Sequence, residues 1–151
     1  MPYWINKLYS ELAIQELYAL LKLRQDVFSL EQNCLYSDID DLDQYCHHLM
    51  LVGKDGLQAY LRCLPPQLHY KESVIGRVVV TPQARGKQLG RELMKRGIAF
   101  SFNRYPDANI RISAQLHLKD FYQSLNFEPV GDPYDEDGIS HISMRLHRQN
   151  T

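Results

Sequence analysis

No stretch of this 151-residue sequence holds the roughly 18 to 20 consecutive apolar residues that a membrane-spanning helix requires. The opening residues, MPYWINKLYSEL, lack both the basic stretch and the apolar run of a secretory signal, so the expected location is the cytoplasm. Cysteine is scarce. Cys34, Cys46 and Cys63 are odd in number, widely spaced and without a CxxC pair, which excludes a disulfide framework and a finger-type zinc site. They read as small half-buried hydrophobes in a reducing compartment. Also missing is an excess of either charge sign, and a net charge of -1 runs against a general nucleic-acid binder. Proline and glycine are too few for a fibrous or disordered chain, and no linker or internal repeat interrupts it. Residues 1–151 therefore read as one domain with a sizeable core.

What the sequence does have is concentrated between Val78 and Met94, VVVTPQARGKQLGRELM. A β-branched run ends at Thr81-Pro82, where proline removes a donor from any ladder, and a basic turn with Gly86 and Gly90 leads into an amphipathic pattern. A helix beginning at Gly86 and running to about Tyr105 points its free N–H groups back into that turn, beside Arg85 and Lys87. Free donors, a positive helix end and fixed cations make a phosphate site. Lys87, Arg91 and Lys95, four apart, form a basic stripe that suits either anion binding or simple solvation.

In chain order, Tyr3 to Leu8 reads as a short strand, and a helix opened by Ser10-Glu11 carries Leu12, Leu17, Leu20, Leu21, Val27 and Phe28 at helical spacing. A polar loop follows with Asp38, Asp40, Asp41 and Asp43. His47–Lys54 and Leu57–Leu64 are two strands about an Asp55-Gly56 hairpin. Ser73–Val80 is an almost continuous β-branched run, expected to be buried on both faces. Asn109–Ala114 is a strand, Leu116–Leu125 a helix, Phe127–Val130 a strand, GDPYDEDG an acidic turn, and His141–His147 a last strand. The expected fold is α/β: one mixed, mostly antiparallel sheet of about six to seven strands with helices on both faces.

A strand, the RGKQLG turn and a helix, followed about thirty residues on by a strand and a helix containing FYQSLNF, resemble the GNAT superfamily of N-acetyltransferases over nearly the whole chain. Arg85, Gly86, Lys87, Gln88, Leu89 and Gly90 match its cofactor turn, with Gln88 where the first of two glycines is usual. Phe121-Tyr122 to Asn126-Phe127 matches its second signature, with Asn126 replacing a glycine in a left-handed helix cap. LRQDVFSLEQNCLYSDIDDLD, AQLHLKDFYQSLNF and YDEDGISHISM together are similar to the ElaA-like branch, whose acceptor is poorly defined.

That resemblance implies an acetyl-CoA-dependent transfer to a primary amine, by direct attack in a ternary complex and without a metal. It lays the pantetheine arm along Val78, Val79 and Val80, rests the pyrophosphate on Arg85 to Arg91, and lets Gln115 touch the cofactor. Tyr122 becomes the general acid for the leaving thiolate, since a phenol stays protonated at neutral pH. Glu31, His117 and His141 fall in segments expected near the cleft and are candidate bases; a water chain is the alternative. Asp38, Asp40 and Asp41 would form a negative substrate-binding rim, or else serve as caps and solvated charge. The acceptor is a small-molecule or peptide amine, with neither nucleic acid nor membrane as a partner, and the chain is a monomer or homodimer. The alternatives are a non-catalytic acyl-CoA-binding regulatory module and an interaction module whose basic stripe meets an acidic partner.

Overall fold

A computed structural model describes residues 1–148. Seven strands form one sheet: β1 Tyr3–Leu8, β2 His47–Gly53, β3 Gly56–Leu64, β4 Ser73–Val80, β5 Ile110–Gln115, β6 Glu128–Glu136 and β7 Ile139–Leu146. Their spatial order is β1-β2-β3-β4-β5-β7-β6. All neighbours are antiparallel except β4 and β5, which are parallel. The helices are α1 Ile14–Arg24, α2 Leu89–Arg104 and α3 Lys119–Gln123. None is long and apolar enough to cross a membrane.

Alternation along the strands sorts side chains to the two faces. Leu49, Leu51, Ala59 and Leu61 enter the larger core, under α2 and α3, with Leu93, Met94, Tyr122 and Phe127. Met50, Tyr60 and Val79 turn the other way and meet Leu20, Leu23 and Val27 from α1 and its continuation. Burying each of these large side chains contributes about 1.5–3 kcal/mol. Gly97 lets α2 lie close to β3, because a Cβ there would stand 2.9 Å from Leu61 Cδ2.

Several boundaries differ from the sequence reading. The first helix begins at Ile14, not Ser10, because the chain caps itself twice. Glu11 accepts from the Leu8 N–H at 2.8 Å, Leu12 and Ala13 are extended, and Glu16 accepts from the Ala13 N–H at 2.7 Å. Gln25–Glu31 then widens into a π-helix, closed by five-residue bonds from Gln32 N–H to the Val27 carbonyl and from Cys34 N–H to that of Ser29. Leu116–Leu118 is a 3₁₀ turn, so α3 is only a short helix. The acidic octapeptide is mostly strand: β6 continues through Glu136, and only Asp137 and Gly138, at φ 56° and 82°, make the turn to β7.

β4 is also less buried than its composition suggests. It carries a bulge, since Tyr60 and Arg62 on β3 oppose Val79 and Gly76, two steps against three. Arg77 takes up the extra residue at φ 52°. The bulge resets the alternation, so Ile75 lies in the larger core and Val78 packs against it, while Val79 joins the opposite one. Val78 and Val80 are left half-buried, at the edge of a cleft.

Candidate active site

β4 and β5 begin as parallel neighbours, but only Ser73 with Ile110 and Val74 with Arg111 are paired. Beyond them β4 continues to Val80 and β5 to Gln115 without a ladder between them. The bulge at Arg77 increases the local twist and carries β4 away. The gap is part of a cavity of about 530 Å³, lined by Ile75 to Val80 from β4, by Ile112, Ser113 and Gln115 from β5, and by Tyr122, His117 and His141. Among the described residues, the edge of β4 facing β5 thus has no strand partner from Ile75 to Val80. Backbone polar groups in such a position call for a partner, which an extended ligand supplies as an added strand would.

Just past β4, Pro82–Ala84 forms a 3₁₀ turn and Arg85 is extended. Gly86 sits at φ 83° and Gln88 at φ 59°, ψ 18°. Gln88 therefore holds the left-handed conformation a glycine takes freely, at a cost of about 1–2 kcal/mol. The helix starts at Leu89, three residues later than the expected Gly86, which leaves Lys87 in the turn rather than on a helical stripe. The Gln88 side chain does not cap α2. Added Cβ atoms at Gly86 or Gly90 would meet nothing within 4 Å, so the turn is uncrowded at both glycines, and the first-turn N–H groups have no partner within the helix. Arg91, within that turn, stacks its guanidinium 5.3 Å from the Phe121 ring centre.

Arg85 lines the cavity but is already engaged. Its Nε donates to the Val80 carbonyl at 3.0 Å, and its two terminal nitrogens donate to Glu31 at 2.6 and 2.8 Å. Hydrogen bonding to Arg85 holds the Glu31 carboxyl below its usual range. Glu31 lines the cavity as expected, yet both oxygens are occupied and its basicity is reduced, the opposite of what a base needs. Gln115 also reaches the cavity, where its amide donates to the Gln32 side chain at 3.2 Å.

The expected negative rim does not form. Asp38 accepts from Arg24 and Arg77 at 2.8 Å each, Asp40 pairs with Arg62 and Arg77, and Asp43 accepts from Arg24 at 2.7 Å and Arg62 at 2.9 Å. Burial would raise the carboxyls of Asp40 and Asp43, but their arginines outweigh it and hold both below the usual range. This network ties the loop to α1, β3 and β4 and sets three arginines against Asp38, Asp40 and Asp43. Asp38 lines the cavity from within it. Asp41 is exposed at φ 65° and belongs to neither.

Tyr122 is 7% exposed and lies edge-on to Phe121 and Phe127. Asn126 at φ 75° closes α3, with the Phe127 N–H returning to the Tyr122 carbonyl at 3.1 Å. Burial pushes the phenol up to about 12. His117 is exposed at the cavity edge. His141 is buried; its Nδ1–H donates to the Ile139 carbonyl at 2.8 Å, its ring stacks on Tyr134, and its Nε2 stands 3.4 Å from Glu136.

Glu136 and Ser113 also line the cavity, with Tyr134 behind them against Ser113 and His141, and the sequence reading missed all three. The usable signal was Asp137-Gly138, a two-residue hairpin turn that would have put the preceding residues on a strand. Cys34 also lines the cavity, with its thiol against the Asp137 carbonyl at 3.4 Å. Burial pushes the thiols of Cys46 and Cys63 up to about 12, in keeping with inert core positions. Among the described residues, no group of three His, Cys, Asp or Glu side chains converges as a metal site would require.

The Acetyltransferase (GNAT) domain family matches residues 28–148. Protein ElaA of Escherichia coli is 43% identical over 143 residues, covering 93% of this chain and 94% of the relative. The crystal structure of E. coli ElaA superposes with a TM-score of 0.91 at 41% identity, over 97% of this chain and all of that one (100%). An acyl-CoA N-acyltransferase from Pseudomonas aeruginosa superposes at 0.93 with 42% identity, over 97% and 100% of the two chains.

Proposed function

The chain belongs to the GNAT acetyltransferase family, and from that premise we propose that it transfers an acetyl group from acetyl-CoA to a primary amine, by direct attack within a ternary complex. The observation that carries this reading is the parting of β4 from β5, which leaves an unpaired strand edge in a cavity that also receives Tyr122. An acyl-CoA fits these residues on two counts. Its extended arm can hydrogen-bond to the β4 edge at Val78 and Val80, the backbone groups of Val79 being turned toward β3, and its pyrophosphate can rest on the uncapped start of α2, where Gly86 and Gly90 leave open space. Arg85 and Gln115 both line the cavity beside that path, held by the neighbouring residues Glu31 and Gln32.

In this reading a backbone N–H on the β4 edge donates to the thioester oxygen as charge develops there. Tyr122, kept protonated by burial, donates its hydroxyl proton to the departing sulfur. Water is limited around the phenol by the Phe121 and Phe127 rings that pack against it. The reading carries with it a cytoplasmic protein acting on a small-molecule or peptide amine.

The test is a thiol-release screen with acetyl-CoA and a broad panel of amines, paired with calorimetry of acetyl-CoA alone. Amine-dependent release supports the transferase. Stoichiometric binding without release supports a non-catalytic acyl-CoA-binding module, and an absence of binding removes the acyl-CoA reading altogether.

A further inference from the structure

The cleft holds four carboxylates, Glu31, Asp38, Glu136 and Asp137. Glu31 is bound by Arg85, and Asp38 by Arg24 and Arg77. Among the described residues, neither Glu136 nor Asp137 has a lysine or arginine partner within ion-pair distance, and of these two only Glu136 stands beside a buried base. The Ser113 hydroxyl lies 3.5 Å from both Glu136 oxygens and is itself hydrogen-bonded to the Tyr134 hydroxyl, which orders the carboxylate without neutralising it.

The facing group is His141, 7% exposed. Because its Nδ1 lies 2.8 Å from a carbonyl, which can only accept, the neutral ring carries its proton on Nδ1. Nε2 then presents a lone pair, 3.4 Å from Glu136 Oε2. Two acceptors converge, and among the described residues the one donor reaching them is the Ser113 hydroxyl, 3.5 Å from the carboxylate and not directed to Nε2. The Tyr134 ring, 6.2 Å away centre to centre and near-parallel, limits rotation of the imidazole out of this arrangement. A group bringing several N–H donors and a positive charge satisfies both acceptors at once, and a primary ammonium is such a group.

We propose that Glu136 and His141 form the acceptor subsite, that it selects a cationic primary amine, and that His141 Nε2 takes the proton that makes the amine nucleophilic. The assignment rests on the transferase reading above. Glu136 holds the ammonium, and one N–H proton passes to His141, leaving a neutral amine whose lone pair forms the new N–C bond as the C–S bond breaks. Tyr122 protonates the sulfur, and the second proton lost from nitrogen restores Tyr122. The balance is one amide, one thiol and one proton released from His141 to solvent.

The experiment compares wild type, Glu136→Gln and His141→Gln by steady-state thiol release, using an alkylamine charged at pH 7 and a fluorinated alkylamine that is neutral at pH 7. Glu136→Gln is expected to raise KM for the charged amine about tenfold or more while leaving KM for acetyl-CoA unchanged. His141→Gln is expected to lower kcat about a hundredfold for the charged amine and much less for the neutral one, which needs no proton removed before attack. A merely structural histidine would affect both amines alike. The proposal is overturned if Glu136→Gln leaves the charged amine's KM within twofold of wild type, or if His141→Gln slows both amines equally. If His141→Gln does not fold, the half-exposed Glu136→Gln decides alone. No release by wild type with any amine overturns the transferase reading as well; release that both variants reproduce overturns only this subsite.

Discussion

Glu31, at the end of the π-helical segment, and Arg85, at the entrance to α2, are joined by two parallel hydrogen bonds of 2.6 and 2.8 Å. The cation best placed to meet a phosphate is therefore already occupied, and a ligand must share it or displace Glu31. Both side chains are about two-fifths exposed, so solvent screening keeps the pair weak. Arg85→Ala is expected to weaken acetyl-CoA binding about tenfold or more, and Glu31→Ala to tighten it by no more than about fivefold. Calorimetry at low and high salt checks both, with the arginine effect shrinking as salt rises.

Gly90 separates stability from binding. It lies in the first turn of α2 with nothing within 4 Å of an added Cβ, so Gly90→Ala should stabilise the protein by about 0.5–1 kcal/mol through helix propensity. The same methyl occupies the approach to the first-turn N–H groups, and acetyl-CoA affinity should fall. A rise in Tm accompanied by unchanged affinity would move the phosphate site elsewhere.

Tyr122→Phe is expected to lower turnover with little change in acetyl-CoA affinity, because the hydroxyl acts on the leaving sulfur. It should also alter alkaline stability. The unfolded phenol titrates near 10.0 and the folded one near 12, so the protonated form's advantage is fully present below pH 10 and lost as pH rises toward 12. This contribution is about 3 kcal/mol, and the variant should lose correspondingly less stability over that interval. Urea midpoints at pH 9.5 and 11.5 measure the difference.

Asp43 accepts from two buried guanidiniums, Arg24 and Arg62. Asp43→Ala should destabilise by about 3–5 kcal/mol, because both arginines are left buried with a missing acceptor. Its carboxyl is held below 3.8, so its stabilisation is present above about pH 4 and lost as pH falls through the lowered value. The variant's stability should consequently fall less between pH 5 and pH 3, as measured by denaturant unfolding.

The mixed sheet, the helices on both of its faces and the strand-turn-helix at Arg85 were legible because each is written in local pattern. So was the left-handed cap at Asn126. The aspartate loop was misread because its partners lie far along the chain: Arg24 is 14 residues before Asp38, and Arg77 is 39 after it. Nothing local distinguishes a paired aspartate from a solvated one. Glu136 was hidden for a different reason, since its neighbours Gly131, Asp132, Pro133 and Asp135 have turn composition. Pairing with β7 overrides that preference, and a strand edge next to the cleft tolerates the irregular register between Val130 and Tyr134.

The two residue pairs that join β4 to β5 make the sheet two leaves held by a short seam, one of four strands and one of three. Each leaf is ladder-bonded within itself, while the opening side of the seam depends on the helices packed across it. A ligand bonded along β4 would act as a stitch in that seam. Occupancy should then be visible far from any catalysis, as slowed hydrogen exchange along β4 and as two leaves that come apart together rather than in turn.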